Sequence, residues 1–174
     1  MTAATIRILS AGDAGGFRRI RLEALELHPE AFGASYAENL PRDEAWFAAM
    51  LADSTVFAAE EDGRLVGTAA FSRLPGEKSR HKAVMWAVYV DQGHRGRHLG
   101  GRLVQAVIDH ARHQVRVLQC AVSVENSAAR DLYLRLGFTR YGTERRALCV
   151  DGRFLDEDLL DIMFDDGDIA KGHP

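Results

Sequence analysis

Nowhere does the chain hold about 18 consecutive apolar residues, so it contains no ordinary membrane-spanning helix. The opening residues, MTAATIRILS, have no basic segment followed by a long apolar one, and the expected location is cytoplasmic. Cysteine is scarce. Cys120 and Cys149 are the only two, both inside apolar, strand-like runs, and they read as free buried thiols rather than a disulfide framework or a catalytic pair. An excess of charge of one sign is also missing: 22 basic residues stand against 25 acidic ones. The net charge of -3 argues against a general nucleic-acid or membrane-surface role. The histidines include two helically spaced pairs, His94 with His98 and His110 with His113, but no Cys/His spacing supplies further ligands. They read as surface or turn residues, and no metal site is expected.

What is present is apolar residues, 47% of 174 positions, enough for one well-buried core and too few for two ordinary domains. One domain is expected over residues 1–165, followed by a polar, disordered tail, 166–174. Thr5 to Leu9 reads as a strand. Asp13 can cap a helix whose stripe is Phe17, Ile20, Ala24 and Leu27, ending before Pro29. A second helix is expected from Pro41, with Asp43 and Glu44 in its first turn and Trp46, Ala49 and Met50 as its stripe; His28 to Leu40 reads as irregular. The period then changes. Val56 to Glu60 and Leu65 to Leu74 form a hairpin around Asp62-Gly63, and Ala83 to Val90 is a further strand. Leu99 to Gln114 predicts a strong helix with Leu99, Leu103, Ala106, Val107 and His110 on one face. Val115 to Val124 reads as a strand, and Asn126 caps a short helix striped by Ala129, Leu132, Tyr133 and Leu136 and closed by Gly137. Two strands, Thr139 to Val150 and Phe154 to Phe164, flank Asp151-Gly152. The class is mixed α/β, or α+β.

The most informative run is Val88 to Leu103, VYVDQGHRGRHLGGRL, a strand breaking into a Gly/Arg turn that feeds a helix. A helix N-terminus has unpaired N–H groups and the positive end of the dipole, so the run predicts an anion site. Gly96, Gly100 and Gly101 allow close approach of the backbone, and Arg95 and Arg97 add charge. A P-loop needs Gly-Lys-Ser/Thr where Gly100-Gly101-Arg102 stands. Gly93, Gly96 and Gly100 lack the spacing of a Rossmann fingerprint. RNA binding by the HRGRH segment lacks stacking aromatics on neighbouring strands.

From about Thr5 to Phe164 the chain resembles the GNAT superfamily of acyl-CoA-dependent N-acyltransferases. Arg95-Gly96-Arg97-His98-Leu99-Gly100 falls where that family has Arg/Gln-x-x-Gly-x-Gly/Ala, and VENSAARDLYLRLGF, residues 124–138, matches its second signature. The resemblance implies a central mixed, mostly antiparallel sheet of about six to seven strands flanked by about four helices. It also implies direct attack of a small-molecule or amino-acid-like primary amine on acetyl-CoA in a ternary complex. His98 stands in place of the first motif glycine. Its backbone N–H still serves a pyrophosphate, provided the residue keeps a helical φ.

The same resemblance assigns roles. Backbone groups of Val88, Tyr89 and Val90 would pair with the pantetheine arm, and Arg95, Gly96, Arg97, His98, Leu99, Gly100 and Gly101 would hold the pyrophosphate. Asn126 caps its helix or contacts the cofactor. Tyr133 matches the family's general acid, a phenol of pKa ~10 donating to a thiolate whose conjugate acid lies near ~8.5. No carboxylate lies in Ala83 to Val90, and Ala121 stands where one branch has its acidic residue, which leaves Glu125 as the nearest candidate base. Arg21, Glu23, Tyr36, Trp46 and Glu144 to Arg146 are candidate wall residues for the acceptor. A non-catalytic acyl-CoA-binding or regulatory domain and a peptide N-terminal acetyltransferase are the alternatives. A homodimer is left open.

Overall fold

Asp62 and Gly63 both take positive φ, 49° and 75°, and Asp151 and Gly152 repeat the pattern at 49° and 79°. Two consecutive left-handed residues match the twist of the strands they join, so each Asp-Gly pair closes a tight hairpin as its sequence predicts. The protein is described by a computed structural model over residues 3–164. Its strands are β1 (Thr5–Ile8), β2 (Thr55–Glu61), β3 (Arg64–Arg73), β4 (Lys82–Val90), β5 (Val117–Ser123), β6 (Thr139–Val150) and β7 (Arg153–Met163). The helices are α1 (Ala14–Leu27), α2 (Tyr36–Asn39), α3 (Glu44–Asp53), α4 (Leu99–Arg112) and α5 (Ser127–Arg135). The strands form one seven-stranded sheet in the order β1-β2-β3-β4-β5-β7-β6. β4 and β5 run parallel, and the pairs β1/β2, β5/β7 and β6/β7 are antiparallel. The parallel pair is the one joined through α4, because parallel neighbours need a long crossover. This is the mixed sheet expected, with one helix more than the four anticipated, a single turn. Among the described residues no helix is long and apolar enough to cross a membrane.

The chain divides into two compact units: residues up to 70 with Ala87–Val104, and Phe71–Trp86 with the residues from 105 onward. In the first unit, α1 buries Phe17, Ile20, Ala24 and Leu25. Phe17, Ile20 and Leu25 each contribute about 1.5–3 kcal/mol of transfer free energy. Leu27, expected in that stripe, is instead 54% exposed, because the helix ends there. Asp13 occupies the cap position of α1 without capping it. Its carboxylate accepts from Ser10 N at 2.7 Å and from Arg7 Nη2 at 2.7 Å, and the guanidinium holds the acid well below the usual carboxylate range.

α3 starts later than the sequence suggests. Asp43 is its N-cap, accepting from Trp46 N at 3.0 Å, so Pro41 lies outside the helix. The residues α3 buries are Phe47 and Leu51 rather than Trp46, Ala49 and Met50. Phe47 meets Phe17 edge to face at 6.0 Å, which sets the register of the two helices. The segment between α1 and α3 is also more regular than expected: a 3-10 turn covers Pro29–Ala31, and Ser35 caps the single turn of α2 through Glu38 N at 3.2 Å. Gly67 on β3 is required by close approach. A Cβ there would stand 2.9 Å from Leu103 Cδ1 and 3.1 Å from Tyr89 O.

In the second unit, β5 pairs with β7 along its whole length, from Val117↔Met163 to Ser123↔Glu157. Its parallel register with β4 is shorter, Lys82↔Val117 to Val84↔Gln119. Cys120 is a free buried thiol, as expected. Cys149 is not buried; it lies exposed on β6, the edge strand. The buried stripe of α4 is wider than the predicted one, taking in Val104, Ile108 and Ala111 beside Leu99, Leu103 and Val107. Ala106 and His110 sit half-buried at its margins. The tail expected to be disordered, 166–174, lies outside the described residues.

Candidate active site

β4 carries a left-handed residue within it. Ala87 has φ +52°, and its carbonyl accepts from Thr68 Oγ1 at 2.7 Å, an unusual conformation for alanine held in place by a buried side chain. Beyond it, Tyr89 is buried and its hydroxyl donates to Glu23 Oε1 at 3.0 Å. Burial, then the neighbouring Glu23 carboxylate, push the Tyr89 phenol up to about 12. Of the three β4 residues read as a pantetheine partner, Val90 already uses its carbonyl, which accepts from Arg95 Nε at 3.1 Å.

The loop from Asp91 to His98 follows. Asp91 Oδ1 accepts from Gly93 N at 2.9 Å and so starts a 3-10 turn over Gln92–His94. Gly96 takes φ +77° and His98 φ +58°. The expectation that His98 keeps a right-handed helical φ is therefore corrected: residue 98 occupies the left-handed region, where glycine is free and an L-residue is strained. Histidine is among the residues that enter this region more readily than most. Arg102 N then bonds to His98 O at 3.1 Å and closes the first turn of α4. The amides of Leu99, Gly100 and Gly101 belong to that first turn, where no intrahelical acceptor precedes them.

Both loop arginines are engaged. Arg95 Nη2 lies 2.8 Å from His28 Nε2, and His28 Nδ1 lies 3.6 Å from Glu30 Oε1. Arg97 forks onto Glu61, with Nη1 to Oε2 at 2.9 Å and Nη2 to Oε1 at 2.6 Å. His94 Nε2 reaches the same carboxylate at 2.8 Å. Arg97 foremost, and His94 after it, hold the Glu61 acid below its ordinary range.

The second unit carries the other predicted residues. Asn126 does cap α5, its Oδ1 accepting from Ala129 N at 3.2 Å. Tyr133 is the only buried residue of that helix, set against Phe138 with ring centroids 5.8 Å apart. Burial, and secondarily Cys120, raise its phenol well above the ordinary tyrosine value. That keeps it protonated, the form a proton donor needs, at some cost in driving force. Gly137, at φ +104°, ends the helix as the sequence indicates. Glu125 is exposed and pairs with Arg153 Nη1 at 2.7 Å, the surroundings of a surface ion pair.

Of the wall residues, Arg21 is buried with its guanidinium over the Phe32 ring at 5.2 Å, and Arg146 stacks over Phe154 at 5.1 Å. Trp46 lies under Arg42 at 5.4 Å. The sequence reading missed Glu61 and His28 as partners of the loop, and the tie of His94 to Glu61. Two carboxylates, Glu60 and Glu61, closing a strand whose middle is apolar were the available signal, since a carboxylate is seldom buried without a cationic partner.

Comparison with known proteins gives this geometry a context. The model of the Acetyltransferase (GNAT) family matches residues 20–138, which span the anion loop and α5. The L-methionine sulfoximine/L-methionine sulfone acetyltransferase of Salmonella typhimurium is 28% identical over 164 residues, 93% of this chain and 95% of that protein. The N-alpha-acetyltransferase RimI of Mycobacterium tuberculosis is 36% identical over 110 residues, 63% of this chain and 65% of that one. Among solved structures, the putative acetyltransferase yncA of Salmonella typhimurium, determined with its cofactor acetyl-CoA, superposes with a TM-score of 0.78 at 26% identity, covering 99% of this chain and 98% of that one. A family match across both signatures, on a sheet and loop of this form, makes the chain a member of the Acetyltransferase (GNAT) family, an acetyl-transferring enzyme.

Proposed function

We propose that the protein transfers the acetyl group of acetyl-CoA to the primary amine of a small, amino-acid-like acceptor. The observation that carries this reading is the loop before α4, where left-handed Gly96 and His98 lead into a helix start that begins Leu99-Gly100-Gly101. Backbone amides at a dipole's positive end are the donor set a pyrophosphate takes, so the residues present fit acetyl-CoA. When bound, acetyl-CoA supplies an activated thioester carbonyl and a thiolate leaving group. Leu99 to Gly101 hold the anion through their N–H groups, and the Arg95 side chain fixes the junction between β4 and the loop through Val90 O and His28. The Val88 and Tyr89 backbone offers strand-like partners to an extended arm. Tyr133 holds the proton that the departing thiolate takes up, and Asn126 fixes the helix that carries it. Glu125 is the carboxylate nearest in sequence for accepting the amine proton, directly or through water.

Support for an amino-acid-like acceptor comes from extent. The likeness to the methionine sulfoximine/sulfone enzyme runs over nearly the whole of both chains, whereas the higher identity to RimI covers under two thirds of either. A peptide N-terminus is the second reading, favoured by that higher identity. Free-thiol release from acetyl-CoA across a panel of amino acids and short peptides, beside thermal stabilisation by CoA, tests both. Release with amino acids, and stabilisation of a few kcal/mol at saturating CoA, are expected. Release with peptides alone would move the acceptor class, and the absence of any stabilisation by CoA would remove the acetyl-CoA reading.

A further inference from the structure

We infer that Glu61 is a positioning residue for the anion loop, and that Arg97 serves the pyrophosphate through the loop's shape rather than through its own donors. The inference rests on the acetyl-CoA reading above. Glu61 is the last residue of β2, immediately before the tight Asp62-Gly63 turn, so its backbone is fixed by the hairpin. Its side chain is 8% exposed and receives two loop residues at once, both terminal nitrogens of Arg97 at 2.6 and 2.9 Å and His94 Nε2 at 2.8 Å. Between those two ties lie only Arg95 and Gly96, and the next residue, His98, is the strained left-handed one.

A segment with little regular structure and two left-handed residues has no helical or sheet ladder to hold it. Side-chain ties anchored in a rigid hairpin supply that hold. The fork takes one N–H from each terminal nitrogen of Arg97 and matches its charge locally, so a phosphate would meet a guanidinium already neutralised by the carboxylate beside it. A phosphate drawing on Arg97 would either share the cation with the Glu61 carboxylate, anion beside anion, or pull the side chain away and leave a buried carboxylate short of partners, a costly exchange. The backbone amides at the start of α4 need no such exchange. Arg97 therefore sets where those amides point.

The test is titration of CoA, by calorimetry, into the full-length wild type and the variants Glu61→Gln, Arg97→Gln and the double substitution, together with steady-state kinetics. The inference expects Glu61→Gln to weaken CoA binding by about tenfold or more, the size that follows from mispositioning an otherwise intact site. Arg97→Gln should weaken it comparably, and the double variant should be no worse than the weaker single, because the two side chains act as one unit. KM for acetyl-CoA should rise while kcat at saturation stays within about twofold. A direct phosphate contact by Arg97 predicts the opposite for Glu61: freeing the guanidinium would leave CoA binding as tight as wild type or tighter, and that result overturns the inference. Should Glu61→Gln fail to fold, Glu61→Asp, which keeps the charge and shortens the arm, is read by the same two criteria. A wild type that does not bind CoA at all would instead remove the acetyl-CoA reading, a distinct outcome.

Discussion

The loop before α4 and the helix α5 carry the family's two signatures, and they are held in opposite ways. Charge fixes the loop: Glu61 gathers Arg97 and His94, and His28 gathers Arg95. Capping and burial fix α5: Asn126 satisfies its first turn, and Tyr133 is sunk to 6% exposure against Phe138. The difference teaches where each signature keeps its chemistry. In the loop the proposed donors are backbone amides, so a side chain can change, as histidine for glycine at 98, while the amide stays. In α5 the proposed chemistry belongs to one side chain, the Tyr133 hydroxyl.

The comparison breaks most visibly at Tyr133. Removing its hydroxyl in Tyr133→Phe keeps the buried ring, so the helix should stay folded, while kcat falls about a hundredfold, or about 2.7 kcal/mol of barrier. KM for acetyl-CoA should hardly move if, as proposed, binding resides in the other region. Unchanged turnover in steady-state assays would show that α5 matters only for packing, and the contrast between the regions would collapse.

The two regions were also unequally legible in the sequence. The α5 segment could be read almost residue by residue, since a cap, an apolar stripe and a closing glycine are local and sit within a dozen positions: Asn126, Tyr133 and Gly137 stand where the sequence puts them. The sheet was legible for the same reason, its two Asp-Gly turns and the helix between β4 and β5 being local signals. The loop was legible only in its glycines and arginines. Its partners, Glu61 and His28, lie 36 and 67 residues away from Arg97 and Arg95, and pairing over such spans leaves no trace in spacing. The backbone of His98 was misjudged for a related reason, since an L-residue in the left-handed region shows only once the loop's path is known. The start of α3 and the fate of Cys149 failed differently. An aspartate cap outcompeted a proline start, and an apolar run turned out to be an exposed edge strand.

A smaller effect separates the regions by pH. Glu61 is held below its ordinary range by Arg97, so its contribution to stability is present at neutral pH and is lost as pH falls below about 4.3 and through its folded value. Cys120, pushed up to about 12 by burial, has the opposite sign: folding favours its protonated form, so stability is lost as pH rises past the ordinary thiol value of about 8.5. In denaturant unfolding the wild type should therefore weaken by somewhat under 1 kcal/mol at about pH 9 relative to pH 7. Cys120→Ala should be offset by a constant cavity cost but show almost no slope over that interval. An identical slope in the variant would mean that the thiol ionises as readily in the folded protein, and the burial of this region would not control its titration.

The smallest expected effect, and the sharpest test of the contrast, is at His98. Substituting glycine relieves a left-handed residue, which favours the folded loop by about 1 kcal/mol. The same substitution gives the unfolded chain more freedom, a cost of about 0.4–1 kcal/mol. The two terms nearly offset, so stability should change by less than about 0.5 kcal/mol. If the loop's function lies in its amides, CoA affinity should stay within about twofold, since residue 98 keeps its N–H and the ties from Glu61 to residues 94 and 97 are untouched. A loss of tenfold or more in calorimetric titration, about 1.4 kcal/mol, would instead make the imidazole itself a ligand. The loop would then, like α5, depend on one side chain, and the distinction between a backbone site and a side-chain site would no longer separate the two signatures.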